Sequence, residues 1–439
     1  MRRHRIPLFH IFLVALTSAG WTSSGLAAAP ARADAVETGS SAVAAAIREE
    51  AGGGLKRFYA GRGFRPLWAT GDKLGARAGA LISYLKTADR DGLNPSSYDV
   101  DDLREMVREA RGGDPEAVAR AELELSATFV RYVRDQRRVR GVKMRYADPG
   151  LKPKKPSAEG ILRAAAFPGS FDDYVNHMDW MSPHYVRVRQ LLGKAEKQGM
   201  AAADIARLHR NLDRARLLPG PWTSHIVVDA SSAQLWYYQA GEQVGTMRVV
   251  VGAAETQTPM LAGMLQWAIL NPYWNVPDYL VRKRIAPKVL GGRTLAMMNI
   301  EALSDWSTSP HRLDPATIDW AAVAAGTREV RLRELPGADN SMGRVKFVFP
   351  NEEGIYLHDT PERALLEKND RHFSNGCIRL ENAPALGRWL LQRPVRTSAR
   401  QPEQAVPLPV PVPVYLTYIT AVATGNGPAF RPDVYGRDK

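Results

Sequence analysis

The single cysteine of this 439-residue chain lies in Phe373-Ser374-Asn375-Gly376-Cys377-Ile378-Arg379-Leu380, and His358 precedes it by nineteen positions. A lone thiol has no partner for an intramolecular disulfide, so Cys377 is either a bystander or a free nucleophile. A thiolate attacks carbonyl carbon well, and a nearby imidazole can take the thiol proton at neutral pH. Acyl transfer of this kind needs a base, a group that orients it, and donors for the oxyanion. Gly376 permits a tight turn and close approach to a substrate. The amides around Gly376 and Cys377 are the oxyanion candidates, with Ser374 and Asn375 as loop support. His358 ends the run Ile355-Tyr356-Leu357, where a side chain can reach a cleft. Either the Asp359 carboxylate or a local backbone carbonyl would hold its imidazole.

The bland alternatives are a cysteine acting as a small buried hydrophobe and a structural histidine. Their placement in one β region, with Ser-x-Gly before the thiol, favours catalysis. Close ligand pairs of the zinc type are missing, and His372, beside charged Arg371, is predicted to be solvated. Arg379 shares a face with Cys377 in an extended segment. It is a candidate for gripping a substrate carboxylate in a bidentate pair; a brace to Glu381 is the structural alternative.

The elements that must position these residues fall into two parts. Residues 34 to about 220 read as helix. Ala42 to Glu50 and Glu116 to Arg138 carry apolar residues at helical spacing. Asp114-Pro115 supplies a cap and a first-turn proline, and Asp91-Gly92-Leu93-Asn94-Pro95 is a turn signal. A helix pair is predicted from Tyr185 to Leu218, ending at the Pro219-Gly220-Pro221 boundary. Beyond it, His225 to Asp229, Gln234 to Tyr238 and Thr246 to Gly252 are β-branched or aromatic runs in a hairpin pattern. Gln266 to Leu270, Val345 to Phe349 and Gly354 to Leu357 add strands, and Asn382-Ala383-Pro384 opens a helix to Leu391. The expected organisation is a leader at 1–33, a helical scaffold domain at 34–221 and a β-rich domain at 222–400. A helical capping insertion at 278–335 interrupts the second domain, as a lid or binding loop would. The alternating prolines of Val406 to Val414 read as an extended run-in to a last strand within a 401–439 tail that packs on the β-rich domain. The fold class is α+β.

Arg2, Arg3 and Arg5, the apolar run Ile6 to Gly20 and Ala31-Arg32-Ala33 form a secretory leader. Its apolar run is shorter than the ~20 residues of a spanning helix. Export argues against nucleic acid as a partner. The net charge of +13 then faces an anionic envelope polymer.

Val345-Lys346-Phe347-Val348-Phe349-Pro350-Asn351, Tyr356-Leu357-His358-Asp359-Thr360-Pro361 and Phe373-Ser374-Asn375-Gly376-Cys377-Ile378-Arg379 together resemble an L,D-transpeptidase, in particular the large YcbB-like branch. The family pattern is a histidine, a spacer of fifteen here, then Ser-x-Gly-Cys. Asn271 to Pro277, Phe430 to Gly436, Asp91 to Pro95 and Asn211 to Pro219 resemble further family segments. The resemblance implies Cys377 as nucleophile and His358 as general base and acid; Arg379, Tyr356 and Trp274 are the substrate-binding candidates. It implies no metal and no cofactor. Its substrates are peptidoglycan stem peptides, its compartment is the periplasm or cell envelope, and carbapenems acylate its thiol. Two departures stand out: Asn375 replaces a histidine common among relatives, and the 190–212 stretch is too short for a separate peptidoglycan-binding module. A hydrolase that hands the thioester to water, and an exported wall-binding scaffold with an inert thiol, are the rival functions.

Overall fold

The computed structural model describes residues 33–439 except 308 and 397–400, with side chains from residue 42 onward. The predicted leader lies outside the described residues but for its last position. Among the described residues no helix is long and apolar enough to cross a membrane.

The N-terminal part is helical. The 22-residue helix Pro115–Gln136 starts as its sequence predicts, with the Asp114 side chain accepting from the Ala117 N–H at 2.8 Å and Pro115 in the first turn. It buries Leu125, Phe129 and Val133 in one core with Val43 and Ile47 of the helix Ala33–Glu50. The predicted turn at Asp91 is also a hub. The buried Asp91 carboxylate accepts from the Tyr132 and Tyr185 hydroxyls at 2.7 Å and from Arg189 at 2.8 Å. Those partners are what allow a charge to sit there. Gly92 follows with φ +65°, a conformation that favours glycine. The predicted helix pair is Pro183–Lys197 and Ala202–Arg216.

From His225 onward strands dominate. They close a ring in the order Val345–Val348, Leu357–His358, Ile378–Leu380, Glu242–Gly252, Gln234–Gln239, His225–Asp229, Gln404–Thr417 and Leu261–Leu270, which pairs back to Val345–Val348. Closure leaves no long open edge. The helix Ala383–Leu391, capped by Asn382 at 3.0 Å, adds Leu386 and Leu390 to the barrel's core.

Three expectations need correction. The proline tract is no run-in: it lies inside the strand Gln404–Thr417, which pairs with Leu261–Leu270 and His225–Asp229. Its prolines alternate, so they silence N–H groups along one edge only, and a register shift between Pro407 and Val412 absorbs the mismatch. The C-terminal tail does not pack on the β-rich domain alone. Asp438 accepts from Arg207 and Arg214 of the helix Ala202–Arg216, both at 2.6 Å, because those half-buried and buried cations require a carboxylate. Finally, the insertion is not purely helical. Trp274–Val276, Ile300–Leu303, Arg312–Leu313 and Arg331–Glu334 form an antiparallel sheet, packed with the helices Ala286–Leu290 and Trp320–Ala325 around Leu280, Val281, Trp320 and Leu332. Its strands are too short to display a period of two.

Candidate active site

The strand Leu357–His358 is only two residues long, yet it orders the site because it is held from both sides. Leu357 pairs with Phe347 on one neighbour and Ile378 on the other, and all three are fully buried in the barrel. Side chains alternate across a sheet. The adjacent row of Lys346, His358 and Arg379 therefore faces the other way, and all three line one cavity of about 400 Å³ with Cys377. Tyr356, Trp274, Ser374 and Asn375 line it too; Gly376 does not.

The loop before Cys377 is pinned by its own hydroxyl. Ser374 Oγ donates to the Cys377 carbonyl at 2.6 Å and accepts from the Gly376 N–H at 3.1 Å. Gly376 has φ +110°, and an added Cβ would lie 3.1 Å from Ile355 Cδ1. The Gly376 amide is therefore engaged within the loop. The Cys377 N–H carries no hydrogen bond among the described residues. Thr256 Oγ1 and the Ala253 N–H both donate to the Ser374 carbonyl at 2.9 Å, and Thr258 Oγ1 donates to the Gly376 carbonyl at 2.8 Å. Tyr435 reaches the same corner, its hydroxyl donating to the Gly252 carbonyl at 2.6 Å and accepting from the Thr258 N–H at 3.3 Å. Thr258 escapes a sequence reading, and Tyr435 is seen only as part of the Phe430 to Gly436 segment, since neither carries a local signal that it braces a loop so distant in the chain.

The group that orients His358 is a backbone carbonyl. His358 Nδ1 lies 2.6 Å from the Asp359 carbonyl oxygen. Nδ1 must carry the proton to donate there, which leaves Nε2 with a free lone pair. The Asp359 carboxylate is engaged elsewhere, accepting from the Arg344 N–H at 3.0 Å and Arg363 at 2.7 Å.

Burial pushes the His358 imidazole down to about 3, against the Asp359 contact and with help from the positive charges of Arg379 and Lys346. Burial pushes the Cys377 thiol up to about 11, partly offset by the Tyr356 N–H. The thiol points at the Gly354 carbonyl, 3.5 Å away. The resting pair is therefore a neutral thiol and a neutral imidazole, not an ion pair, and proton transfer must accompany attack on a bound electrophile. This fixes a pH dependence. His358 gains its proton only near pH 3 and Cys377 loses its own only near pH 11. Acylation of Cys377 should hold a constant rate from about pH 5 to 8, with no fall at the ordinary imidazole value. A rate that halves on acidification near pH 6.5 would contradict this assignment.

Arg379 pairs with Glu362 and not with Glu381, which Arg248 holds instead. Its side chain stays largely covered while its partner Glu362 is exposed. Trp274, on the strand just before the insertion, and Tyr279, within it, enter the cavity. Trp306 is exposed and Trp320 belongs to the insertion's own core. His372 is half-buried, not solvated: Nδ1 meets Asp370 at 2.6 Å and Nε2 meets the Ala230 carbonyl at 2.9 Å. Lys346 was legible as a strand residue but not as a cavity residue. Its signal was the alternation of Val345-Lys346-Phe347, a lysine between two inward apolar side chains.

Two family models match the chain: a scaffold domain over residues 53–192 and an L,D-transpeptidase catalytic domain over residues 223–405. A Haemophilus influenzae protein with the name "Putative L,D-transpeptidase" is 27% identical over 395 residues, spanning 88% of this chain and 78% of that protein. An L,D-transpeptidase structure from Mycobacterium smegmatis is 13% identical with a TM-score of 0.22, over 44% of this chain and 58% of that chain. The match thus spans little more than half of the solved protein. An L,D-transpeptidase solved in complex with imipenem gives the same identity and TM-score, over 44% and 58% of the two chains.

Proposed function

We propose that the chain, whose residues 223–405 match the model of the L,D-transpeptidase catalytic domain, cross-links peptidoglycan in the cell envelope through a thioester on Cys377. The donor is a tetrapeptide stem. Cys377 Sγ attacks the carbonyl between diaminopimelate and D-alanine as His358 Nε2 takes the thiol proton. The developing oxyanion meets the Cys377 N–H. His358 returns the proton to the leaving amine, the C–N bond breaks, and D-alanine departs. The side-chain amine of an acceptor diaminopimelate then attacks the thioester and restores the thiol. Arg379 receives a stem carboxylate, while Tyr356 and Trp274 shape the donor's path. No step requires a metal or cofactor. The export signal in the leader supports a periplasmic location.

The observation that carries this reading is the placement of Cys377 in one cavity with His358, whose Nδ1 proton goes to the Asp359 carbonyl. Incubation with tetrapeptide-bearing muropeptides, followed by mass measurement of the products, tests it. Cross-linked dimers support the transpeptidase. Tripeptides alone identify a hydrolase, and unchanged substrate identifies a wall-binding protein.

The insertion acts as the cap. A thioester must be kept from water until an amine arrives, and Trp274, Asn275, Pro277 and Tyr279 border the cavity from that side. Replacing residues 280–333 with a short Gly/Ser linker should shift products from dimers toward tripeptides while Cys377 still acylates. An unchanged dimer-to-tripeptide ratio in a folded variant would remove the gating role.

A further inference from the structure

His358 sits between two cations in strict register. Lys346 pairs with it across one strand boundary and Arg379 across the other. All three side chains line the Cys377 cavity. Neighbouring strands are ~4.8 Å apart, so the backbones of Lys346 and Arg379 are separated by roughly two such spacings, with His358 on the strand between them. Each cation has a glutamate: Glu362 for Arg379, and Glu403, at 3.0 Å, for Lys346. Glu403 is itself fixed by the Tyr273 N–H at 2.6 Å. The Lys346 ammonium also lies 6.0 Å from the centre of the Tyr356 ring, and its side chain is mostly covered. A surface lysine of no consequence would extend into solvent. This one is held against the cavity wall by a fixed anion and an aromatic face.

Resting on the proposed donor, we infer that Lys346 is a specificity-determining residue that binds a second carboxylate of the stem, at the far end of the diaminopimelate side chain. Arg379 lies two residues beyond Cys377 and meets the carboxylate nearest the scissile bond, that of the leaving D-alanine. Lys346 lies one strand past His358, on the far side from Arg379. A carboxylate reaching it must sit on a longer arm. A stem residue whose side chain ends in a carboxylate has that arm; a lysine in its place, or an amidated side chain, lacks the charge. The cavity thus reads the length and the charge of the donor's side chain. The alternative is a strut, with the Lys346–Glu403 pair only joining two strands.

The test uses the full chain and two synthetic tetrapeptides that differ only in whether the side-chain carboxylate of diaminopimelate is free or amidated. D-alanine release is measured. The wild type should prefer the free acid by roughly ten- to a hundredfold in kcat/KM, the scale of one charge-assisted hydrogen bond. Lys346→Met should erase the preference, bringing the ratio of the two kcat/KM values close to one whatever the absolute rates. Lys346→Arg should keep the preference, which guards against a Met variant that fails to fold. Equal wild-type rates on the two peptides overturn this inference and leave the transpeptidase reading standing. Equal slowing of both peptides by Lys346→Met identifies the strut and also overturns it. No D-alanine release from either peptide by an enzyme whose Cys377 still reacts with a thiol reagent overturns the transpeptidase reading, and this inference with it.

Discussion

Cys377→Ala is expected to abolish covalent capture of a carbapenem, the largest effect of any single substitution in this chain. The chain has one thiol, so a thioester has one address. Intact-protein mass should rise by one inhibitor in the wild type and stay unchanged in the variant under the same exposure. The fold should survive. Cys377 is only half-buried, and the loop is held by contacts that the substitution does not touch: Ser374 Oγ to the Cys377 carbonyl and Thr258 Oγ1 to the Gly376 carbonyl. The interactions lost are weak ones, from the thiol to the Gly354 carbonyl and from the Tyr356 N–H to the sulfur. Melting temperature should therefore match the wild type within a degree or two, about the scale of a small surface change. A persistent adduct of the same mass on the variant would move the chemistry to another residue and remove the site.

His358→Ala is expected to slow acylation by ~10⁴-fold, the upper end for a positioned base. With the thiol held near 11, roughly one part in ten thousand is thiolate at pH 7. Without an imidazole to take the proton as the S–C bond forms, that fraction is all that can attack. The variant should then show what the wild type lacks: a rate rising about tenfold per pH unit through the neutral range. Time courses of carbapenem acylation from pH 6 to 9, with circular dichroism as the control for folding, provide the measurement. A folded variant that acylates at the wild-type rate, or whose slow rate is flat with pH, would exclude His358 as the base. The two substitutions are coupled, so the double variant should be no worse than Cys377→Ala alone.

The candidate site residues were legible because they are close in sequence and chemically rare. A lone cysteine behind Ser-x-Gly, with a histidine at a strand end upstream, can be read without coordinates. So can the helical first half, whose apolar spacing and Asp114-Pro115 cap act within a few residues, and the switch to β structure after Pro219-Gly220-Pro221. These signals are local, and local interactions act through the backbone geometry of short segments. The contacts between distant segments are different. Only the folded barrel aligns Lys346, His358 and Arg379 in one row, because cross-strand register depends on hydrogen bonding between segments that share no sequence pattern. Only there does the Asp359 carbonyl, and not the adjacent carboxylate, accept the imidazole N–H: Arg344 and Arg363 claim that carboxylate first. The same holds for the Gly376 amide, lost to Ser374 Oγ, and for the proline tract, whose strand character comes from neighbours on both sides. The sequence by itself determined the α+β class and singled out Cys377 and His358 as the candidates for chemistry. The tertiary structure decided their protonation, their partners and which neighbours face the same cavity, since burial and charge at a point in space are summed over every segment that arrives there.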